Sequence, residues 1–251
     1  MNWVFLSPHF DDAVYSCGGL IWDLFGANEH VEIWTVCSGS PPAGPLTPFA
    51  RELHKRWRVD RRRAIAVRKS EDKLACQRLR ARSHYFGIPD CIYRLLPGGV
   101  PLVAKEEDLW QPLHPGEDNQ LNQLVEVVYM AVRKGARLVS PLGLGQHVDH
   151  TLTRRAAELA AGDRPDIQLA YYADFPYVMK VLREREEFDG SLRAETTTVS
   201  PTGLQAWGDG IALYASQLSS FWKGEGEMRS QLADYVSGQG GFRLYWNLNT
   251  D

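Results

Sequence analysis

The sequence has few cysteines, and they are scattered. Cys17, Cys37, Cys76 and Cys91 form no C-x-x-C pair, which argues against a cysteine zinc site and against a disulfide framework. Cys17 and Cys37 lie in apolar surroundings and read as buried thiols. No apolar stretch approaches the ~18 residues that suggest a membrane span. No basic segment followed by an apolar stretch opens the chain, so no secretory signal is expected. A soluble, cytoplasmic protein is the expectation. Charge of either sign is not in large excess: 28 Lys and Arg face 31 Asp and Glu, a formal net charge of -3. That leaves no chain-wide pull toward nucleic acid or an anionic membrane. No G-x-G-x-x-G follows a strand, so a dinucleotide-binding fingerprint is missing. Internal repeats, low-complexity tracts and long linkers are missing too. Nothing in the sequence sets an oligomeric state.

What is present suffices for a large core. With 251 residues, 44% of them hydrophobic, the chain is long for one domain but normal for an α/β one. Residues 1–251 are expected to form a single domain. Residues 3–6 read as a short buried strand and 14–22 as the start of a packed helix with small residues near its beginning. Residues 31–37 read as a second strand. Strand, helix and strand within so short a span form a βαβ unit, hence a parallel sheet with a right-handed crossover. Residues 38–50 are a Gly/Pro/Ser-rich loop leaving the same sheet edge. Residues 51–69 carry nine Lys or Arg against Glu52 and Asp60. This run reads as a solvated helix face, with a patch for an anionic part of a substrate as the alternative. Val67, Leu74, Ala75 and Leu79 give the helical period there. Further strands are expected at 83–88, 137–140, 167–172 and 192–199, and a last strand or ordered tail at 242–246. Residues 119–133 and 151–161 read as helices, and 204–236 as one or two helices broken near Gly224-Glu225-Gly226. Residues 89–120 read as irregular, with a short helix near Glu106.

Two stretches carry chemistry. The first is Ser7-Pro8-His9-Phe10-Asp11-Asp12-Ala13, where the first strand gives way to the first helix. Sites form at the carboxyl ends of parallel strands. His9 and Asp12, three apart, can reach one point, and an imidazole with a carboxylate is an ordinary pair of metal ligands. Asp11 between them is left to handle a proton. The competing reading is that the two Asp cap the helix, but a His contributes nothing to a cap. The second stretch is His147-Val148-Asp149-His150, which occupies the same place in a later strand–turn–helix unit. One of its His, with His9 and Asp12, makes a three-ligand site with open positions, the form that catalytic zinc takes. The same set suits non-haem Fe(II). Asp149 is placed to orient an imidazole, as carboxylates behind metal ligands do. Three of the seven His fall in these two turns. His30, His54, His84 and His114 stand apart and read as ordinary surface or core histidines.

These motifs resemble the N-acetylglucosaminylphosphatidylinositol deacetylase (PIG-L), or LmbE-like, family. That family carries His-Pro-Asp-Asp-Glu after its first strand and His-x-Asp-His far downstream. Cys17-Gly18-Gly19 is similar to its glycine pair, and Arg68 with Glu71 to its Arg-x-x-Glu pattern. The resemblance runs from residue 3 to about residue 220. It implies a Rossmann-like, mostly parallel sheet and a zinc-dependent deacetylase of N-acylated amino sugars. By position, His9, Asp12 and His150 would hold zinc and Asp11 would be the general base. His147 would steady the oxyanion with Asp149 beside it. Arg68 would contact the substrate. Two departures stand out: Phe10 in place of Pro, and Ala13 in place of Glu. Some members also carry a Tyr where this chain has Gly145, so any such Tyr must come from elsewhere, with Tyr172 and Tyr177 as the candidates.

The same chemistry stands without the family. An unactivated amide needs a nucleophile stronger than water, and zinc lowers the pKa of bound water to about 7. A carboxylate within reach takes the remaining proton, and a protonated His147 would face the developing negative charge. Asp11 can return its proton to the leaving amine. Two other readings compete: an Fe(II) redox enzyme on the same ligands, which would depend on O₂, and a non-catalytic sugar- or nucleotide-binding protein.

Overall fold

A computed structural model describes residues 1–57, 60, 63–184 and 191–247. Its first strand, β1 (Asn2–Ser7), is buried on both faces from Trp3 onward. That is why it reads as a continuous apolar run rather than an alternating one. The chain continues through α1 (Asp12–Gly26), β2 (His30–Thr35), α2 (Pro48–Arg56), α3 (Ala64–Arg78), β3 (Arg82–Tyr85), α4 (Asp118–Ala131) and β4 (Arg137–Pro141). It then forms α5 (Val148–Gly162), β5 (Gln168–Tyr172), α6 (Val178–Glu184), β6 (Leu192–Thr197), α7 (Pro201–Ala212), α8 (Ala215–Leu218), α9 (Glu225–Gln239) and β7 (Phe242–Asn247).

The seven strands lie in the order β3-β2-β1-β4-β5-β7-β6. The first five are mutually parallel, and β7 runs antiparallel to both β5 and β6. The expected mostly parallel sheet flanked by helices is therefore present. The order reverses between β1 and β4: the chain builds outward through β2 and β3, then returns to the other side of β1. Such a switch point opens a crevice at the carboxyl ends of its two strands. Both chemical motifs follow those two strands.

Side chains of β1 alternate between two apolar clusters. Trp3 and Phe5 join the cluster under α1, α3, α7 and α9. Val4 and Leu6 join the one under α4 and α5. The two small residues near the start of α1 have a packing reason. A Cβ on Gly18 would lie 2.5 Å from Trp207 Cδ1, and one on Gly19 2.7 Å from Trp207 Cε3. The close approach of α7 to α1 needs glycine there. A third cluster, with Phe49, Leu53, Ile92 and Val148, packs α2 and the 91–103 segment against the carboxyl edge.

Several elements differ from the sequence reading. The basic run is not one helix but α2 and α3 with a break between them. Thr47 Oγ1 caps α2 by accepting from the Ala50 N–H at 3.1 Å. Arg58, Arg61 and Arg62 lie outside the described residues. In α3 Leu74 points outward at 50% exposure, while Arg68 and Asp72 are buried. Of the expected apolar stripe, Ala75 and Leu79 are buried and Val67 half-buried, but Leu74 is not, because this helix also turns Arg68 and Asp72 inward. Residues 204–236 hold parts of three helices, since α8 follows α7 after a two-residue step. Helix α6 is an addition to the elements expected. Residues 89–117 are irregular, as the sequence implies, with 3₁₀ turns at Cys91–Tyr93, Glu106–Leu109 and Pro115–Glu117. All four cysteines are buried thiols. No helix among the described residues is long and apolar enough to cross a membrane.

Candidate metal-binding active site

The first turn is held by its own serine. Ser7 Oγ donates to the His9 carbonyl at 2.5 Å and accepts from the Ala13 N–H at 2.9 Å. This small cage fixes His9 at the end of β1 and Asp12 in the first turn of α1. Helix capping does not account for the two carboxylates. Asp11 stands at the N-cap position, but its side chain makes no cap hydrogen bond. Asp12 Oδ2 accepts from the His9 main-chain N–H at 2.7 Å instead.

The structure brings His9, Asp12 and His150 to one place. Asp12 Oδ2 lies 3.0 Å from His9 Nδ1 and 3.4 Å from His150 Nε2. A tetrahedron of ~2.1 Å zinc bonds has edges of about 3.4 Å, so these donor atoms fit one small divalent ion. Each imidazole is backed by a carboxylate on its far nitrogen. His9 Nε2 lies 2.9 Å from Asp149 Oδ2, and His150 Nδ1 lies 2.6 Å from Asp174 Oδ1. That arrangement fixes ring orientation and raises ligand basicity.

Asp149 is fully buried and also accepts from Arg94 Nη1 at 2.5 Å and the Cys91 N–H at 3.0 Å. Arg94 in turn donates to Glu117. Asp149 thus sits behind His9, not beside the substrate. It orients an imidazole, as expected, but that of His9 rather than one of its own motif, and its burial corrects the expectation of a catalytic Asp149 facing the substrate. The cause is long-range: Arg94 and the Cys91 amide come from a segment more than fifty residues earlier in the chain.

Charges follow from this packing. Burial disfavours the imidazolium of His150, but Asp12 and Asp174 push its pKa up to about 10. Burial likewise opposes charge on His9, yet Asp12, Asp149 and Asp90 hold its pKa well above the ordinary value. Burial raises the Asp11 carboxyl, against the pull of Arg68 and with a push from Asp12. His147 is the opposite case: burial, His9 and His150 hold it well below the usual imidazole range. That direction runs against the expected protonated His147. Its Nδ1 accepts from the Asp149 main-chain N–H at 3.2 Å, so the proton of the neutral ring is on Nε2.

Arg68 is 6% exposed, and its Nη2 lies 3.3 Å from Asp11 Oδ1 and its Nη1 3.7 Å from Asp90 Oδ2. Asp11 is thus held by a partner rather than free. The cavity above these groups encloses about 660 Å³ and is lined by His9, Asp11, Asp12, Arg68, Asp90 and His147, with Trp57, Trp110, Tyr177 and Phe221 among its walls. Of the two tyrosine candidates, Tyr177 reaches the cavity, whereas Tyr172 is buried with its hydroxyl on the Leu6 carbonyl. Phe10 and Ala13, the two departures, are both fully buried. Sequence reasoning missed Asp90, Arg94, Trp110 and the role of Asp174. Asp174 alone carried a signal, as an acidic residue just past a strand's carboxyl end.

The fold and site define a class: a parallel α/β protein with a two-His, one-carboxylate cluster at its switch point. The chain belongs to the PIG-L (GlcNAc-PI de-N-acetylase) family, whose profile matches residues 4–161. It is 31% identical over 176 residues to the 2'-N-acetylparomamine deacetylase of Streptomyces fradiae, covering 68% of this chain and 56% of that enzyme. The chain thus spans little more than half of that relative. A 2'-N-acetylparomamine deacetylase of Niallia circulans is 26% identical, with 99% of this chain and 91% of that one aligned. The solved zinc-inhibited form of a teicoplanin deacetylase shares the fold, with a TM-score of 0.83, 24% identity and coverage of 98% and 97%.

Proposed function

We propose that this protein is a zinc-dependent N-deacetylase that hydrolyses the N-acetyl, or other N-acyl, amide of an amino-sugar conjugate. The observation that carries the reading is the meeting of His9 Nδ1, Asp12 Oδ2 and His150 Nε2 beside a buried carboxylate, Asp11, on the floor of a cavity. The family and the deacetylase relatives support it. His9, Asp12 and His150 would hold the ion. A divalent ion held there supplies a Lewis acid that brings the pKa of water to about 7. Asp11, its pKa raised by burial, takes the proton that water loses and returns it to the departing amine. Neutral His147 donates its Nε2–H to the acyl oxygen as negative charge develops there. Arg68 holds Asp11 in place and borders the sugar. The aromatic walls of Trp57, Trp110 and Tyr177 match the apolar faces of a glycoside. Since strands from residue 2 to residue 247 share one sheet, we also take residues 1–251 to act as one domain.

The test is metal analysis of the purified protein together with amine release from a panel of N-acetylglucosaminides. About one equivalent of zinc and release of a free amine are expected. A protein that takes up no divalent ion, or that turns over only with consumption of O₂, overturns the reading.

A further inference from the structure

The main-chain turn between His9 and Asp11 is gripped from a second side, by groups that have no place in the site itself. Tyr214, fully buried after α7, has its Oη 2.9 Å from the Phe10 carbonyl and 2.8 Å from Asp72 Oδ1. Asp72 is fully buried on α3, and its other oxygen accepts from the Tyr85 hydroxyl at 2.7 Å. The Phe10 carbonyl accepts and cannot donate, and Tyr214 has only one hydroxyl hydrogen. If Asp72 is ionised, both neighbours of Tyr214 Oη are acceptors competing for that hydrogen. If Asp72 carries a proton, it donates to Tyr214, Tyr214 donates to Phe10, and every group in the chain is satisfied.

We propose that Asp72 and Tyr214 are positioning residues: a protonated Asp72 orients the Tyr214 hydroxyl onto the Phe10 carbonyl and so holds Asp11 at its working position. This rests on the reading of Asp11 as general base. The surroundings of Asp72 agree with a shared proton. The groups facing it are Tyr85 from β3, Tyr214, Cys76 of its own helix and, farther off, Asp11; none of these is a cation. Burial pushes the Asp72 carboxyl up to about 6, although Tyr85 and Tyr214 pull it down; that shift alone favours the protonated form only below about pH 6, and it is the two acceptors facing the single Tyr214 hydroxyl hydrogen that call for the proton. The residue before Asp72 on α3 also anchors the chain just beyond Tyr214. Glu71 accepts from the Ser216 N–H at 2.9 Å and from the Ser216 hydroxyl at 2.6 Å, which keeps the tyrosine from backing away.

Two variants test this without emptying the core. Tyr214→Phe removes only the hydroxyl. Asp72→Asn copies the protonated carboxyl, with an amide that donates to Tyr214 and an oxygen that accepts from Tyr85. The first readout needs no substrate: hydrogen exchange of the amides in residues 7–15, with those in α3 as the internal reference. Tyr214→Phe should speed exchange in 7–15 by at least about tenfold while α3 keeps its protection, and Asp72→Asn should leave both near wild type. The second is the kinetics of amine release from an N-acetylglucosaminide. Tyr214→Phe should lower kcat by at least about tenfold with KM within about twofold, and Asp72→Asn should retain most of kcat. Unchanged exchange in Tyr214→Phe overturns the proposal, as does an Asp72→Asn variant that behaves like Tyr214→Phe, or exchange that rises with kcat unaltered. Exchange as expected in a protein that releases no amine would instead overturn the deacetylase reading and leave the role in holding the turn standing.

Discussion

The turn after β1 and the turn after β4 occupy equivalent places in the fold, yet they use their carboxylates in opposite ways. In the first, Asp11 and Asp12 both line the cavity. In the second, Asp149 is fully buried and spends its oxygens on His9, Arg94 and the Cys91 amide. The histidines differ as well. His9 and His150 each lie between two carboxylates, which raise their pKa against the pull of burial. Burial, with the two neighbouring imidazoles, lowers that of His147. The same residue types in the same supersecondary position thus acquire different duties from what packs behind them. On the proposed function, one turn would present the reactive groups, and the other would supply one ligand, one hydrogen-bond donor and the brace for the first turn's ligand.

The sharpest way to break this comparison is to remove what the turns share. Asp12→Ala or His150→Ala should release the ion and lower kcat by at least about 10³-fold, because the Lewis acid is lost along with its water. Metal analysis beside the kinetics checks this. An Asp12→Ala protein that keeps both ion and turnover would show that the two turns do not build one centre.

Asp11→Asn separates the two carboxylates of the first turn. It should retain the ion and lose about 10²–10⁴-fold in kcat, the usual worth of a general base. Near-normal turnover would move the base to another residue.

The brace is the next test. Asp149→Asn and Asp174→Asn should each weaken metal affinity by about 10–100-fold, the usual effect of losing a carboxylate behind a ligating His. Asp149→Asn should also lower unfolding stability by about 3–5 kcal/mol, because it breaks a buried pair with Arg94. Chelator competition and denaturant unfolding read the two effects apart. If Asp149→Asn cost activity with metal affinity untouched, Asp149 would act on the substrate after all.

The smallest effect belongs to Arg68. Arg68→Ala should lower kcat/KM by about tenfold with metal content unchanged. It should also move the acid limb of the rate profile to higher pH. Arg68 pulls the Asp11 pKa down; without it the carboxyl titrates higher, so the base is lost sooner as pH falls. An unmoved limb would detach Arg68 from Asp11.

Much of this was legible in the order of residues. Buried parallel strands show as apolar runs in 3–6 and 31–37, because both faces of such strands meet core. His9-x-x-Asp12 and His147-x-x-His150 are short spacings on single turns, and local geometry suffices to put each pair on one side. The βαβ order then implies that both turns reach the same sheet edge. Other features depended on partners distant in sequence. Nothing near Asp149 says that it will face Arg94 rather than the cavity. Nothing near His147 says that burial and two imidazoles will lower its pKa. The inward polar face of α3 broke the helical period because Arg68 and Asp72 answer to Asp11 and Tyr214, whose positions no spacing encodes. The sequence by itself determined a mostly parallel sheet and the residue types gathered at one of its edges. Tertiary structure alone decided which carboxylates line the cavity and which one braces an imidazole, because burial and hydrogen-bond partners come from contacts across the fold.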